Sequence, residues 1–425
     1  MHNELDITLE NISKTEGHAD LDVKVVGGKV TDVKLKISEN KRFFTQAIRD
    51  KPLIGLPQLV SRICGTCSIA HLTCCTEAAE RALEIVPSDQ TMLFRKLSMY
   101  GLMIRDHAMH LYLFVLPDLF GKDSVLEFDE SQHELVHQAF DVKGVGNNLS
   151  KIIAGRSVHA TIPQIGSFSK IPKKDETDKI VKELKGVRSH VIELVDIFQK
   201  CNFEFKRSSN FVVLTTKDFS FLEGEIRSST GTKVKESDYW DFLTRVVIPY
   251  SQATGFKFEG KEYMVGALSR LNLNKDALHK DTKRDLSDAL KMFPSDNVYH
   301  NNLAQAIEIL HSIDHSIELL EANEFKEESK PEVKIKEGQG IGVIEAPRGT
   351  LYYMLSVNSE GKIKFGNLVI PTAQNQIKME NDIRELIPQI LDKNREEIEL
   401  ELEKLIRAYD PCMSCASHFL KVNWR

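Results

Sequence analysis

A chain of 425 residues, 41% hydrophobic and 28% charged, carries enough apolar side chain for a deep core and too much for a disordered polymer. Its formal net charge of -6 lacks the basic footprint of a nucleic-acid binder. No run approaches the ~20 apolar residues that span a bilayer, residues 111–116 being the nearest, so direct membrane insertion is not expected.

The first eighteen residues are acidic where a secretory signal is basic, and no apolar stretch follows them. The seven cysteines are few for the length and odd in number, which argues against a disulfide framework and for a reducing, cytoplasmic setting. Residues 5–37 alternate apolar and polar side chains around Gly27-Gly28, the pattern of a β-hairpin. Helical periodicity then takes over at 69–86, 90–116, 131–154, 174–204 and 281–324, the last broken near Pro294. Residues 208–236 and 256–275 are mixed and turn-rich. Short strands return across 342–370, split by Pro347-Arg348-Gly349, and one final helix is expected over 376–408.

The expected fold class is therefore mainly α with small β regions (α+β). We expect a single domain over 1–425: a hairpin region at 1–40, a mainly helical body at 41–325, strands and loops at 340–375, a helix and C-terminal cysteine motif at 376–418, and a tail at 419–425.

Two C-x-x-C pairs stand out, Arg62-Ile-Cys64-Gly-Thr-Cys67-Ser-Ile-Ala-His71 and Asp410-Pro-Cys412-Met-Ser-Cys415-Ala-Ser-His418. Such a turn sets two thiolates a few ångströms apart, and two pairs together make a four-sulfur site for a soft or borderline metal. On spacing alone a structural zinc site is the better reading. Against it, zinc modules draw their ligands from a compact segment, whereas Cys67 and Cys412 stand 345 positions apart. The spacing indicates a metal and leaves open which one.

R-x-C-G-x-C-x-x-x-H, followed later by D-P-C-x-x-C-x-x-H, resembles the paired signature of nickel-iron hydrogenase large subunits. The resemblance continues in order through Glu16-Gly17-His18, His107-Ala-Met-His110, Pro117-Asp118, Gly155-Arg156 with His159, Glu345-Ala-Pro-Arg-Gly349 and Pro371-Thr-Ala-Gln-Asn375. It implies nickel held by Cys64, Cys67, Cys412 and Cys415, with Cys67 and Cys415 bridging to an iron that carries carbon monoxide and two cyanides. Pro347, Arg348, Pro371 and Thr372 match positions around those small ligands.

By the same resemblance dihydrogen is split heterolytically. Of the two candidate bases we favour the Cys412 thiolate over Arg348, because a guanidinium is normally always protonated. Glu16 matches the carboxylate that relays the proton outward, and Asp118 and Asp410 match buried charge partners of Arg348. Each residue also has a duller reading. Glu16 could end a strand, Asp118 could cap a helix, and Asp410 before Pro411 could start a turn. His71 and His107 read better as hydrogen-bonding histidines than as ligands, and Cys74, Cys75 and Cys201 as small buried hydrophobes.

Two features depart from the family. Many relatives have a glutamate where this chain has Thr45, and threonine brings no charge for the accessory magnesium or iron near His418. The tail after His418, residues 419–425, is short for the extension that maturation removes in many relatives.

There is no further cysteine cluster and no dinucleotide fingerprint, so electrons are expected to leave through another polypeptide, which the resemblance implies is an iron-sulfur small subunit. Further flavin and iron-sulfur subunits would carry them to NAD(P) or another soluble acceptor. The alternatives are a hydrogen-sensing relative with little turnover and a non-catalytic relative like the quinone-site subunit of respiratory complex I. Retention of all four cysteines weighs against the last.

Overall fold

The computed structural model describes residues 4–39 and 43–417. The alternating start becomes a three-stranded antiparallel sheet, β1 (Glu4–Leu9), β2 (Ala19–Val26) and β3 (Lys29–Ile37), one strand more than the hairpin expected. Leu21, Val23 and Val25 of β2 and Val33, Leu35 and Ile37 of β3 point inward, as period-two patterning requires.

The helical body contains α1 (Ser68–Leu83), α2 (Asp89–Ala108), α3 (His133–Ala154), α4 (Lys174–Gln199), α5 (Ala267–Asn274) and α6 (His300–Ala322). Helix α2 packs against α3 and α6, and α6 against α4. The Ser88 hydroxyl caps α2 by accepting the Thr91 N–H at 3.1 Å. The long helix expected to reach residue 116 changes character after Ala108, where a π-helical turn, Met109–Val115, rotates His110 into the interior.

A second sheet, β4 (Gly338–Ala346), β5 (Gly349–Val357) and β6 (Ile363–Val369), lies against α1. Gly338, Gly340 and Gly342 make that contact backbone to backbone. A Cβ at Gly340 would stand 1.9 Å from the Ala78 carbonyl oxygen, and one at Gly342 2.2 Å from that of Cys74. Helix α1 therefore sits on β4 with no side chain between them, fixing the first cysteine pair relative to the β4–β5 turn.

The single final helix expected over 376–408 is two: α7 (Pro371–Ile390) and α8 (Arg395–Ala408). Asn394 and Glu397 form a capping box that starts α8 anew, and α7 begins five residues earlier because Pro371 suits a first helical position. Residues 208–236 and 256–275, expected to be mixed, hold short hairpins and α5. Cys74 and Cys75 are buried as expected, while Cys201 is only half-buried. Among the described residues no helix is long and apolar enough to cross a membrane.

Candidate metal centre

The fold brings the two cysteine pairs together. Cys64 follows a 3-10 turn and Cys67 immediately precedes the N-terminus of α1. Cys412 is extended and Cys415 lies in the short helix Met413–Ala416. Cys412 Sγ stands 2.9 Å from Cys415 Sγ and 3.5 Å from Cys64 Sγ, and Cys67 Sγ is 3.0 Å from Cys415 Sγ. All four sulfurs lie within 4.8 Å of one another, buried and free of disulfides. Hydrogen bonds from Cys412, Cys415 and Cys67 hold the Cys64 thiol well below its ordinary range, while burial pushes Cys412 and Cys415 well above theirs. Such a set is one easily formed thiolate surrounded by reluctant ones, and a soft cation is what would replace the remaining protons together.

Arg348 occupies the two-residue turn between β4 and β5. Its Nη1 donates to Asp106 Oδ2 at 2.9 Å, and its Nη2 to Asp410 Oδ1 at 2.9 Å and Asp106 Oδ1 at 3.4 Å. Burial alone would lower its pKa, but the two carboxylates outweigh that and hold it well above the ordinary arginine value. Its Nε is buried with no hydrogen-bond partner among the described residues. Asp410 is itself steadied: Gln305 donates Nε2–H to Oδ2 at 2.8 Å, and Gln305 Oε1 faces His110 Nδ1 at 2.6 Å.

Asp118, expected beside Arg348, stands elsewhere. It receives Arg407 Nε at 2.6 Å and Nη2 at 3.0 Å, and Lys14 Nζ at 2.7 Å. Arg407 also reaches the Ser13 carbonyl, so Asp118 ties down the segment leading to Glu16. The reason is positional: Asp118 follows the π-helical turn, about three turns beyond Asp106, and that distance carries it away from Arg348.

Glu16 Oε2 accepts from Cys412 Sγ at 3.1 Å, and burial raises its pKa, with Cys64 adding to the effect. The Met413 N–H donates to the Glu16 carbonyl at 2.8 Å, so the backbones of the two segments are pinned together. Gly17 takes a left-handed conformation, φ 83°, and a Cβ there would meet Ser414 N at 2.7 Å. Thr372, at the start of α7, accepts the Cys412 N–H at 2.9 Å. His71 binds Tyr353 through Nδ1 at 2.8 Å, and His107 pairs with Glu308 through Nε2 at 2.9 Å.

A small cavity beside the thiols is walled by apolar Ala70, Ala346, Pro347, Leu351, Ile370 and Pro371, with His71, Arg348 and Thr372 as polar groups in its lining. Thr45 lies in the short helix Phe44–Ala47; His418 and the tail 419–425 fall outside the described residues.

Asp106, Arg270 and Glu308 escaped sequence reasoning. Asp106 directly precedes His107, and a carboxylate flanked by Arg105 and His107 inside an apolar helix was a visible signal. Arg270 shows only as a charge between Leu268 and Leu271.

The pattern of the nickel-dependent hydrogenase family matches residues 44–162 and 242–418. Sulfhydrogenase 1 subunit alpha of Pyrococcus furiosus is 33% identical, the match covering 98% of this chain and 99% of that protein. The beta subunit of the NAD-reducing hydrogenase HoxS of Cupriavidus necator is 27% identical over 97% of this chain and 95% of its own length. Among solved structures, an NAD+-reducing [NiFe]-hydrogenase superposes with a TM-score of 0.87 at 22% identity, over 98% of this chain and 100% of the other.

Proposed function

This chain belongs to the nickel-dependent hydrogenase family and is a hydrogenase catalytic subunit, and from that premise we propose that Cys64, Cys67, Cys412 and Cys415 hold its nickel together with an iron. The observation that carries this reading is the set of four buried thiols within 4.8 Å, with Glu16 hydrogen-bonded to Cys412 and Arg348 lining the cavity beside them. The donor set fits: four soft sulfurs suit nickel and iron over hard cations. The adjoining cavity fits the iron's carbon monoxide and cyanides, with apolar walls around Pro347 and Pro371 and donors at Arg348, whose Nε–H is otherwise unpartnered, and Thr372.

When bound, the metal pair supplies the electron chemistry of heterolytic dihydrogen cleavage. The protein's part is to take and move the proton. Cys412 Sγ is the acceptor, and Glu16, already hydrogen-bonded to that sulfur at 3.1 Å, receives the proton from it. Burial raises the Glu16 pKa from the ordinary carboxylate value toward the working pH, as a relay that both binds and releases protons requires. Arg348 is unsuited to be the base, because Asp106 and Asp410 hold it cationic. It positions charge beside the site instead.

The electrons pass to an iron-sulfur small subunit, then through flavin and iron-sulfur subunits to NAD(P) or another soluble acceptor, in the cytoplasm. The relative named an NAD-reducing hydrogenase subunit supports a soluble acceptor. Thr45 argues against an accessory magnesium or iron near His418.

The test is nickel and iron content together with the infrared spectrum of protein purified with its native partners. Nickel with one carbonyl and two cyanide bands is expected. Zinc alone, without those bands, overturns the reading.

A further inference from the structure

Arg348 has a second arginine behind it. Arg270, on α5, is 2% exposed, and all five of its N–H groups find acceptors. Nε and Nη2 grip the Glu308 carboxylate at 2.6 and 2.7 Å, and Nη1 reaches Glu345 Oε2 at 2.8 Å. The remaining bonds go to backbone: Nη1 to the Ala346 carbonyl at 3.0 Å and Nη2 to the Pro347 carbonyl at 2.9 Å. Those are the two residues immediately before Arg348.

Both carboxylates are anchored in turn. Glu345 accepts the Leu214 N–H at 2.8 Å and the Thr350 hydroxyl at 2.6 Å. Glu308 meets His107 Nε2 at 2.9 Å, and His107 adjoins Asp106, which holds the Arg348 guanidinium. Arg348 is thus fixed from two sides, its head by Asp106 and Asp410 and its backbone by Arg270.

We propose that Arg270 is a positioning residue for dihydrogen cleavage: by clamping the Ala346 and Pro347 carbonyls it sets where the Arg348 guanidinium stands beside the thiol centre. The two carboxylates take three of its five N–H groups, and the remaining two go to the carbonyls just before Arg348 rather than to an element remote from the thiols. Both carbonyls belong to the buried two-residue turn and its last strand residue, so this grip bears on the segment that aims the Arg348 guanidinium. Lysine at this position keeps the charge and could satisfy one carboxylate and one carbonyl, but its single ammonium cannot reproduce the fork.

The proposal rests on the hydrogenase reading of the thiols. The test compares R270K and R270Q with wild type in the holoenzyme with its native partners. Metal content, the carbon monoxide and cyanide stretching bands, and kcat and KM for dihydrogen are measured. R270K is expected to load nickel and iron as wild type does, to shift the cyanide bands, and to lose roughly 10- to 100-fold in kcat with KM unchanged, as small misplacements of a preorganised group do. R270Q should lose more. Wild-type bands and kcat in both metal-loaded variants would overturn the proposal. So would failure of both to fold, which would assign Arg270 to the architecture alone. If wild type itself lacks nickel and the bands, the hydrogenase reading falls first and this proposal with it.

Discussion

Replacing Asp106 with asparagine tests the charge arrangement around Arg348 directly. Arg348 makes three hydrogen bonds to carboxylate oxygens, two of them to Asp106 at 2.9 and 3.4 Å and one to Asp410 at 2.9 Å. An amide at 106 keeps one acceptor oxygen and turns an N–H donor toward a group that can only donate. The formal charge of the trio moves from one plus against two minuses to one against one. A hydrogen bond to a charged group is worth about 1.5–3 kcal/mol, and its loss frees the guanidinium to follow Asp410 alone. If that geometry matters in the transition state, the same energy lowers kcat by roughly 10- to 150-fold at 1.36 kcal/mol per decade. The assay is dihydrogen-dependent dye reduction at saturating gas, normalised to nickel content, with the infrared bands as a check on loading. Fully loaded D106N with wild-type turnover would refute the role given to Arg348.

Gly17→Ala combines a left-handed φ of 83° with a Cβ 2.7 Å from Ser414 N; together these should cost about 2–5 kcal/mol, seen as a lower thermal midpoint and reduced turnover as Glu16 is pushed from Cys412. Thr372→Val strands the buried Cys412 N–H, at a cost of about 1–3 kcal/mol, and should lower nickel retention during dialysis against a chelator. His311 is a pH marker. Burial pushes its pKa down to about 3, with Nδ1 accepting the His279 N–H and Nε2 donating to the Phe219 carbonyl. The unfolded chain takes up a proton below the ordinary histidine value of about 6.5 that the native state refuses, so this group's contribution falls by about 1.4 kcal/mol per pH unit between pH 6.5 and 3. His311→Asn should flatten the pH dependence of the urea midpoint by about one proton over that window; an unchanged slope would show that His311 does not titrate this way.

The four thiols were legible because each sits in a local pattern whose chemistry can be named, C-x-x-C, whereas Glu16 came only through the family resemblance, since Glu-Gly-His by itself could as well end a strand. Asp118 was not legible. A proline-aspartate pair carries no information about which of several arginines it will meet across the core, and Arg407, not Arg348, was the one within reach. The break between α7 and α8 was written in the sequence as Asn394 with Glu397, yet strong helical periodicity on both sides masked it. Arg270 was invisible for a different reason: its importance lies in two backbone carbonyls, and main-chain partners leave no trace in side-chain spacing.

The contact between Cys64 and Cys412 also has a temporal meaning. The two are 348 positions apart, and at about 5–20 residues per second a ribosome needs roughly 20–70 s to travel from one to the other. Closing so long a loop is only slightly harder thermodynamically than closing a short one, since the entropy grows with the logarithm of length. The hazard is kinetic. For that interval Cys64 and Cys67 are thiols without their partners, open to oxidation and to whichever thiophilic ion arrives first. The order of synthesis therefore exposes the N-terminal pair to competing ions for longer than the C-terminal pair, which has its partners as soon as it is made.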